Sequence, residues 1–333
     1  MLSALISRPV RRASCVWASC LWATCALTGG TAWAQAAPKW PSKPIALVVP
    51  FAPGGSNDVI GRALAQRLSK ELGQQVIVEN RAGAGSVVGA THVARSAPDG
   101  HTLMFVSGSL ATTAAVQQPP YDAATAFEGI ARVAAAPFVF VVREGFPAKN
   151  VAELVSYAKA NPDKMNYGSA GLGDSTQLAT ELFNLVTGIK MTGVNYKGIA
   201  PAQLDLAAGR IDLVVTTVAS IRGTVTEKLP MLAITSARRS ADMPAMPTVK
   251  ESGIDYVVDV WWGLFGPAGM PADVRNRLNG LVGDALKDPE FLAFLKNAGA
   301  SAAHSSPEEL TALLRRDIDL WRKTVDAAGL RQK

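Results

Sequence analysis

The stretch IALVVPFAPGGSND, residues 45–58, places an apolar run, a loop with prolines and glycines, and a helix start in direct succession. The run Ile45–Pro50 is continuously apolar, as strands buried on both faces of a parallel sheet are. Asn57 and Asp58 then open a predicted helix that ends near Gly73. Its apolar residues recur every four positions: Ile60, Leu64 and Leu68. The stretch therefore predicts a strand–loop–helix unit of an α/β protein.

The same alternation continues along the chain and predicts doubly wound sheets. The candidate strands are Ile45–Pro50, Gln75–Glu79, Thr102–Val106, Phe138–Val142, Lys164–Tyr167, Met191–Tyr196, Ile211–Thr216 and Leu232–Thr235. Helix starts are signalled by Asn150 with Glu153, by Pro201, and by Ser306 with Glu309.

The loop inside the opening stretch has the features of an anion site. Two glycines let the backbone approach a ligand closely, and the amides of Gly55, Ser56 and Asn57 would point out of a helix N-terminus. Two further loops with glycines, residues 168–177 and 196–201, also enter helices. The three loops could converge on one anion, and a purely structural turn is the alternative for the first of them.

A fourth stretch with glycines, residues 83–89, follows a predicted strand. A dinucleotide fingerprint requires G-x-G-x-x-G, and this stretch is one residue too long and lacks the acid about 20 residues later. We expect a tight turn into a helix, with no cofactor.

Motifs of catalysis and metal binding do not appear. There is no G-x-S-x-G and no H-E-x-x-H, and the three histidines, His92, His101 and His304, are not spaced for a shared metal. We expect no metal site and no enzyme activity.

The N-terminal segment has the order of a secretory signal. Arg8, Arg11 and Arg12 precede an apolar run that is shorter than the about 20 residues needed to span a bilayer, and a small-x-small triplet ends at Ala34. We predict a signal peptide over residues 1–34, cleaved after Ala34. All three cysteines lie within it, so the mature chain can form no disulfide.

Without this segment the net charge falls from +6 to about +3, and the charges are interspersed. Because no basic run with aromatic residues is present, we expect no nucleic-acid partner.

Several segments, in the same order and spacing, make the chain similar to the Bug-type solute-binding receptors of the tripartite tricarboxylate transporter family. The resemblance begins near Trp40, covers almost all of the mature chain, and is carried by these segments: Trp40–Ile45, Pro50–Asp58, Val78–Gly85, Ala97–Leu103, Tyr196–Gly198, Pro247–Val249 and Trp262–Gly269.

The resemblance implies a periplasmic-binding-protein fold of type II, with two doubly wound α/β lobes and a ligand cleft between them. It implies that residues 35–142 and 256–333 form lobe 1, and that residues 143–255 form lobe 2. It also implies a monomer in the periplasm that captures a small organic carboxylate and delivers it to the small and large membrane subunits of a permease.

Receptors of this kind hold one carboxylate through the Phe51–Ser56 and Ser169–Thr176 loops, by backbone amides and water. The predicted ligand-binding residues are Phe51, Ala52, Pro53, Gly54, Gly55, Ser56, Ser107, Ser169, Ala170, Gly171, Asp174, Ser175, Thr176, Tyr196, Lys197, Gly198, Ala200, Thr216, Thr217, Asp259 and Trp261.

The chain departs from the usual family pattern at several of these positions, including Ala52, Asp174, Thr216, Thr217 and Asp259. If Asp174 and Asp259 both faced the cleft, they would repel a second ligand carboxylate by roughly 4 kcal/mol at 4 Å and intermediate dielectric. The alternative is that Asp174 is a helix cap and Asp259 faces solvent.

Two other functional classes remain open from the sequence. A periplasmic sensor module would use the same cleft but present its ligand-bound form to a signalling partner. An exported enzyme acting on organic acids would need titratable groups held in the cleft.

Overall fold

The computed structural model describes residues 40–329, so the predicted signal peptide lies outside the described residues. The strands are β1 Ile45–Val49, β2 Val76–Asn80, β3 Thr102–Ser107, β4 Phe127–Pro137, β5 Val139–Val142, β6 Asn166–Ser169, β7 Thr192–Asn195, β8 Leu213–Thr216, β9 Met231–Ile234, β10 Asp259–Pro267 and β11 Ser301–Ala302. The helices are α1 Ser56–Leu72, α2 Val87–Ala94, α3 Ser109–Val116, α4 Val151–Ala160, α5 Ser175–Thr187, α6 Ile199–Ala207, α7 Val218–Ile221, α8 Ala272–Ala285, α9 Pro289–Asn297 and α10 Pro307–Ala328.

Six strands form the first sheet, in the order β11-β4-β10-β3-β1-β2. Strand β1 pairs in parallel with β2 and β3, whereas β10 pairs antiparallel with β3 and β4. Successive residues of β1 pack on opposite faces of the sheet. Leu47 lies in a core cluster with residues of α1 and α8, and Val48 lies in another with residues of α2 and α10. Helices therefore cover both faces of this sheet, as the continuous apolar run at Ile45 predicts.

The second sheet has five strands in the order β7-β6-β8-β5-β9, with β6 parallel to β7 and β8. Strand β5 pairs antiparallel with β8 and β9 and so belongs to this sheet. The chain therefore changes sheets between β4 and β5, at Phe138, within the segment predicted for lobe 1.

Three strands, β4, β10 and β11, were missing from the sequence prediction. Strand β4 is rich in alanine and carries Glu128 and Arg132, so neither its propensity nor its pattern is typical of a buried strand. Its stability comes instead from tertiary pairing along nine residues of β10. These antiparallel strands make the first sheet mixed rather than purely parallel, as β5 does in the second sheet.

The predicted helix ends are confirmed. The Asn150 side chain accepts a hydrogen bond from the Glu153 amide at the start of α4, and Ser306 with Glu309 forms a complete capping box at the start of α10. Gly73 ends α1 in the left-handed conformation, with φ +65°. Within residues 40–329 no helix combines the length and the apolar character that a membrane crossing requires.

Candidate functional site

A small cavity lies where residues of both sheets and the N-termini of three helices meet. Ten of the predicted ligand-binding residues line it: Phe51, Gly55, Ser56, Ser107, Ala170, Asp174, Ser175, Thr176, Thr216 and Thr217. The cavity has a volume of about 20 Å³, which is room for about one water molecule. Most of the polar wall consists of hydroxyl groups; among the described residues that line it none is basic, and Asp174 is the acid.

The N-terminus of α1 forms one wall. The Ser56 amide donates to Ser220 Oγ at 2.9 Å, a contact that joins α1 to α7 across 164 residues of sequence. The neighbouring acid Asp58 accepts from the Gly54 amide at 3.0 Å and forms an ion pair with Arg62 at 2.8 Å. Burial alone would raise the pKa of Asp58, but the Arg62 guanidinium, the Gly54 amide and Asn80 together lower it. The charge of Asp58 is thus compensated within α1.

The N-terminus of α5 forms the opposite wall and is capped by Asp174, whose exposed fraction is 2%. Its Oδ1 accepts from the amides of Thr176 and Gln177, at 2.8 and 3.3 Å, and from the Thr176 hydroxyl. Its Oδ2 accepts from Ser109 Oγ at 2.9 Å. Burial raises the pKa of Asp174 despite these donors, and among the described residues no basic side chain pairs with it.

Three amides at the start of α5 and in the loop before it donate to side chains of the protein. The Ser175 amide donates to Ser109 Oγ, the Gly173 amide to Gln177 Oε1, and the Ala170 amide to Thr176 Oγ1. The helix-cap interpretation of Asp174 is therefore confirmed, and this helix end already holds the carboxylate of its own chain.

The third loop closes the cavity from the side of α6. The Ala52 amide donates to the Lys197 carbonyl at 3.0 Å, so the first and third loops are hydrogen-bonded directly. A Cβ on Gly55 would lie 3.2 Å from Ile199 Cγ2, and one on Gly198 would lie 3.0 Å from the Ala52 nitrogen. Small residues at these positions allow the two loops to touch.

The stretch 83–89 is a tight turn into α2, as predicted, and it also packs against the loop that precedes α5. A Cβ on Gly85 would lie 2.1 Å from the Leu172 carbonyl oxygen. Gln117, which directly follows α3, donates to the Leu172 carbonyl at 2.6 Å, and Thr113 of α3 donates to the Gly85 carbonyl at the same distance. We call this group of contacts the glycine clasp: Gly85, Thr113, Gln117, Leu172 and Gly173.

Nine other predicted residues flank the cavity in the three loops without lining it: Ala52, Pro53, Gly54, Ser169, Gly171, Tyr196, Lys197, Gly198 and Ala200. Two of them are engaged elsewhere, since Ser169 Oγ donates to Asn195 and the Tyr196 hydroxyl to Asp205.

Asp259 and Trp261, which are also among the predicted ligand-binding residues, do not line this cavity. Successive residues of a strand point to opposite faces, and on β10 it is Val260 that lines the cavity. Asp259 lies in a separate groove beside Leu320 and Trp321, and the Trp261 indole donates to Asp317 of α10 at 2.8 Å. The two acids Asp174 and Asp259 therefore do not share one site.

Five lining residues were missing from the predicted set: Asn57, Phe138, Ile199, Ser220 and Val260. Asn57 and Ile199 are helix N-terminal residues of loops that were identified, so loop membership would have found them. Nothing local in the sequence marks Phe138, Ser220 or Val260, because only the fold brings them together.

The histidines lie away from the cavity. His101 is buried beside Asp99, and His304 lies against Gly283. Within the described part of the chain, no three histidine, cysteine or acidic side chains gather into a metal-binding cluster.

The chain is similar to curated proteins along nearly its whole length. A protein of the tcbD-tcbE intergenic region of Pseudomonas sp. is 35% identical over 304 residues, covering 90% of each chain. BugT of Bordetella pertussis is 32% identical over 311 residues, covering 92% of this chain and 95% of its own.

Solved structures of similar proteins share the fold. The periplasmic binding protein BugD is 33% identical with a TM-score of 0.84, over 88% of this chain and all of its own. Rpa4515 of R. palustris, solved with adipate, is 32% identical with a TM-score of 0.84, over 87% and 98% of the two chains. MatC from Rhodopseudomonas palustris, solved with bound malate, is 31% identical with a TM-score of 0.81, over 86% and 99%.

The family model for the tripartite tricarboxylate transporter family receptor matches residues 60–330. This match covers most of the chain and agrees with the resemblance inferred from the opening stretch and the segments around it. The chain belongs to the tripartite tricarboxylate transporter family of periplasmic solute-binding receptors.

Proposed function

We propose that this chain captures a small organic carboxylate in the cavity between the N-termini of α1 and α5 and does not alter it chemically. The observation that carries the proposal is the convergence of loops from both sheets on one cavity lined largely by hydroxyl groups. Adipate and malate in two similar receptors support a carboxylate as the ligand class.

The proposed binding mode follows from the size of the binding free energy. One helix terminus contributes about 0.3–1 kcal/mol, rising to roughly 2 when partly buried, whereas micromolar capture needs about 8 kcal/mol. Several amides and hydroxyls, ordered water and the enclosure of the ligand must therefore act together. The residues available for this are those of the cavity wall, with Gly55, Ser56 and Asn57 nearest to the α1 terminus.

We further propose that the two sheets belong to two lobes that separate to admit the ligand. A cavity with room for about one water molecule cannot hold a carboxylic acid of several carbons, so its walls must move apart. Lobe 1 would comprise residues 35–142 and 256–333 and lobe 2 residues 143–255, with the first crossover shifted to Phe138 because β5 pairs in the second sheet. The contacts from Ala52 to Lys197 and from Ser56 to Ser220 would then break or lengthen.

We also propose how the protein is exported and to which membrane subunits it delivers the ligand. The signal peptide would be removed after Ala34, and the ligand-bound monomer would deliver its carboxylate to the small and large membrane subunits of a tripartite permease. Deleting the gene should abolish uptake of the bound carboxylate. Unchanged uptake would argue against delivery while leaving ligand capture intact.

A thermal-shift screen of the mature protein against mono-, di- and tricarboxylates tests capture itself. A ligand at 100 times its Kd stabilises the fold by about 2.7 kcal/mol, which should raise the melting temperature by several degrees. The variant Ala170→Val narrows the cavity and should abolish the shift. The matched control Ala160→Val, at an exposed position at the end of α4, should retain it. If no carboxylate raises the melting temperature, or if Ala170→Val responds like its control, the proposal fails.

A further inference from the structure

The charge distribution of the cavity wall limits which carboxylates it can take. The wall holds one buried acid, Asp174, and none of its described residues is basic. A ligand carboxylate brought to this wall therefore depends on neutral donors alone. A second ligand carboxylate would add a further negative charge to an enclosed space that already contains one.

The two helix termini that face the cavity differ in how their acids are compensated. At α1, Asp58 is paired with Arg62 and the Ser56 amide donates to the neutral Ser220 hydroxyl, so this helix end is less negative than that of α5. At α5, the first-turn amides already bind Asp174, and among the described residues no cation offsets that carboxylate. A ligand carboxylate is thus favoured at α1 and disfavoured at α5.

The end of the cavity at α5 instead presents acceptors. Asp174 Oδ1 already receives hydrogen bonds from three donors, whereas Oδ2 receives one, from Ser109, and retains capacity for another. A donor group on the ligand would satisfy this oxygen, and a carboxylate there would not.

We propose that the cavity selects ligands with a single carboxylate, bound at the N-terminus of α1, and an ammonium or hydroxyl group that donates to Asp174. This inference rests on the proposed function and names the ligand class within it. Asp174 determines the specificity, because it excludes dicarboxylates that have the same length as the preferred ligand.

Titration calorimetry on ligands of equal length tests the selection. The probes are adipate, 6-aminohexanoate and 6-hydroxyhexanoate, with succinate, 4-aminobutyrate and 4-hydroxybutyrate as a shorter series. We expect at least one amine- or hydroxyl-bearing ligand to bind at least tenfold more tightly than the dicarboxylate of its series. A dicarboxylate that binds as tightly as its partners overturns the selection but leaves carboxylate capture standing. Binding of no probe in either series, together with no response in the wider screen, overturns capture itself.

The variant Asp174→Asn assigns the selection to this residue. Asparagine keeps an oxygen that can cap α5, so the fold should persist while the charge is removed. We expect dicarboxylate affinity to rise at least tenfold and affinity for the ammonium-bearing ligand to fall at least tenfold. The control Asp259→Asn removes an acid from the separate groove and should leave both affinities unchanged. Equal behaviour of the two variants would contradict the assignment to Asp174.

Discussion

The helices α1 and α5 both begin at the cavity with an acid in or beside the first turn, and the two acids are held in opposite ways. Asp58 has the Arg62 guanidinium within 2.8 Å and a lowered pKa. Asp174 has only hydroxyl and amide donors, and burial raises its pKa. An aspartate lies near both helix N-termini, as the third residue of α1 and as the N-cap of α5. We therefore expect the α1 end to receive an anion more readily than the α5 end.

The largest expected difference between the two ends is in stability. Asp58→Ala removes the acceptor of the Gly54 amide and of the Asn80 side chain and should lower the free energy of unfolding by about 2–3 kcal/mol. Asp174→Ala loses a cap worth about 1 kcal/mol but also removes a buried acid that lacks a cation, so we expect a net loss below about 1 kcal/mol. Urea denaturation measures both. A greater loss for Asp174→Ala would contradict the proposed difference between the ends.

The glycine clasp contacts the loop before α5. Its contribution to ligand binding can be measured by comparing substitutions at Gly85, which lies in the clasp, and Gly73, which lies outside it. In Gly85→Ala the new Cβ meets the Leu172 carbonyl at 2.1 Å, so we expect ligand affinity to fall about tenfold, roughly 1.4 kcal/mol. Gly73 has nearly the same φ, +65° against +62°, but a Cβ there meets nothing within 4 Å. Gly73→Ala should therefore share the backbone strain and keep the affinity. Equal affinities in calorimetry would exclude a role of the clasp in binding.

The two acids should also give stability opposite dependences on pH. Asp58 has a folded-state pKa below 3.8, so its contribution is present above pH 3.8 and is lost as the pH falls through the lowered value. Asp174 has a folded-state pKa above 3.8, so its contribution is complete below pH 3.8 and is lost as the pH rises through the raised value.

Relative to the unmodified protein, Asp174→Asn should therefore gain stability as the pH rises from about 4 towards 7, and Asp58→Asn should gain as the pH falls below about 4. Denaturation at a series of pH values, expressed as differences from the unmodified protein, cancels the titration of the other groups. With rising pH, the stability difference should increase for Asp174→Asn and decrease for Asp58→Asn. A change in the same direction for both variants would be inconsistent with these pKa directions.

The smallest effect is expected in the groove that contains Asp259. The side chain of Asp259 is exposed and makes no hydrogen bond or ion pair with another described residue. Partial burial by the neighbouring side chains raises its pKa. Asp259→Asn should change the free energy of unfolding by less than about 0.5 kcal/mol, as for ordinary surface positions. A loss above 1 kcal/mol would mean that the groove contributes to the fold.

Local patterns were enough to predict the first helix end, but of the second they predicted only the cap. The run at Ile45, the Gly54-Gly55 turn and the apolar spacing of α1 all act within one short segment, so the sequence alone locates this unit. The environment of Asp174 depends on Ser109, which lies 65 residues earlier in the chain. Its cap could be anticipated from the sequence, but the absence of a compensating cation could not.

The same distinction explains the missed strands and lining residues. Strands β4 and β10 have weak local signals and are fixed by pairing with each other across more than 120 residues. Because β10 was not predicted as a strand, the sequence did not show that Val260 points to one face of the sheet and that Asp259 and Trp261 point to the other. The resemblance to the family located the loops, whereas the side chains that line the cavity depend on the register of these strands.

The most direct test of the central claim is a crystal structure of the mature protein with the tightest-binding ligand from the two series. The account predicts the carboxylate within about 2.7–3.2 Å of donors at Gly55, Ser56 or Asn57, and the other end of the ligand directed at Asp174. A carboxylate that displaces Asp174 from the amides of Thr176 and Gln177, or a ligand bound outside the cavity, would contradict it.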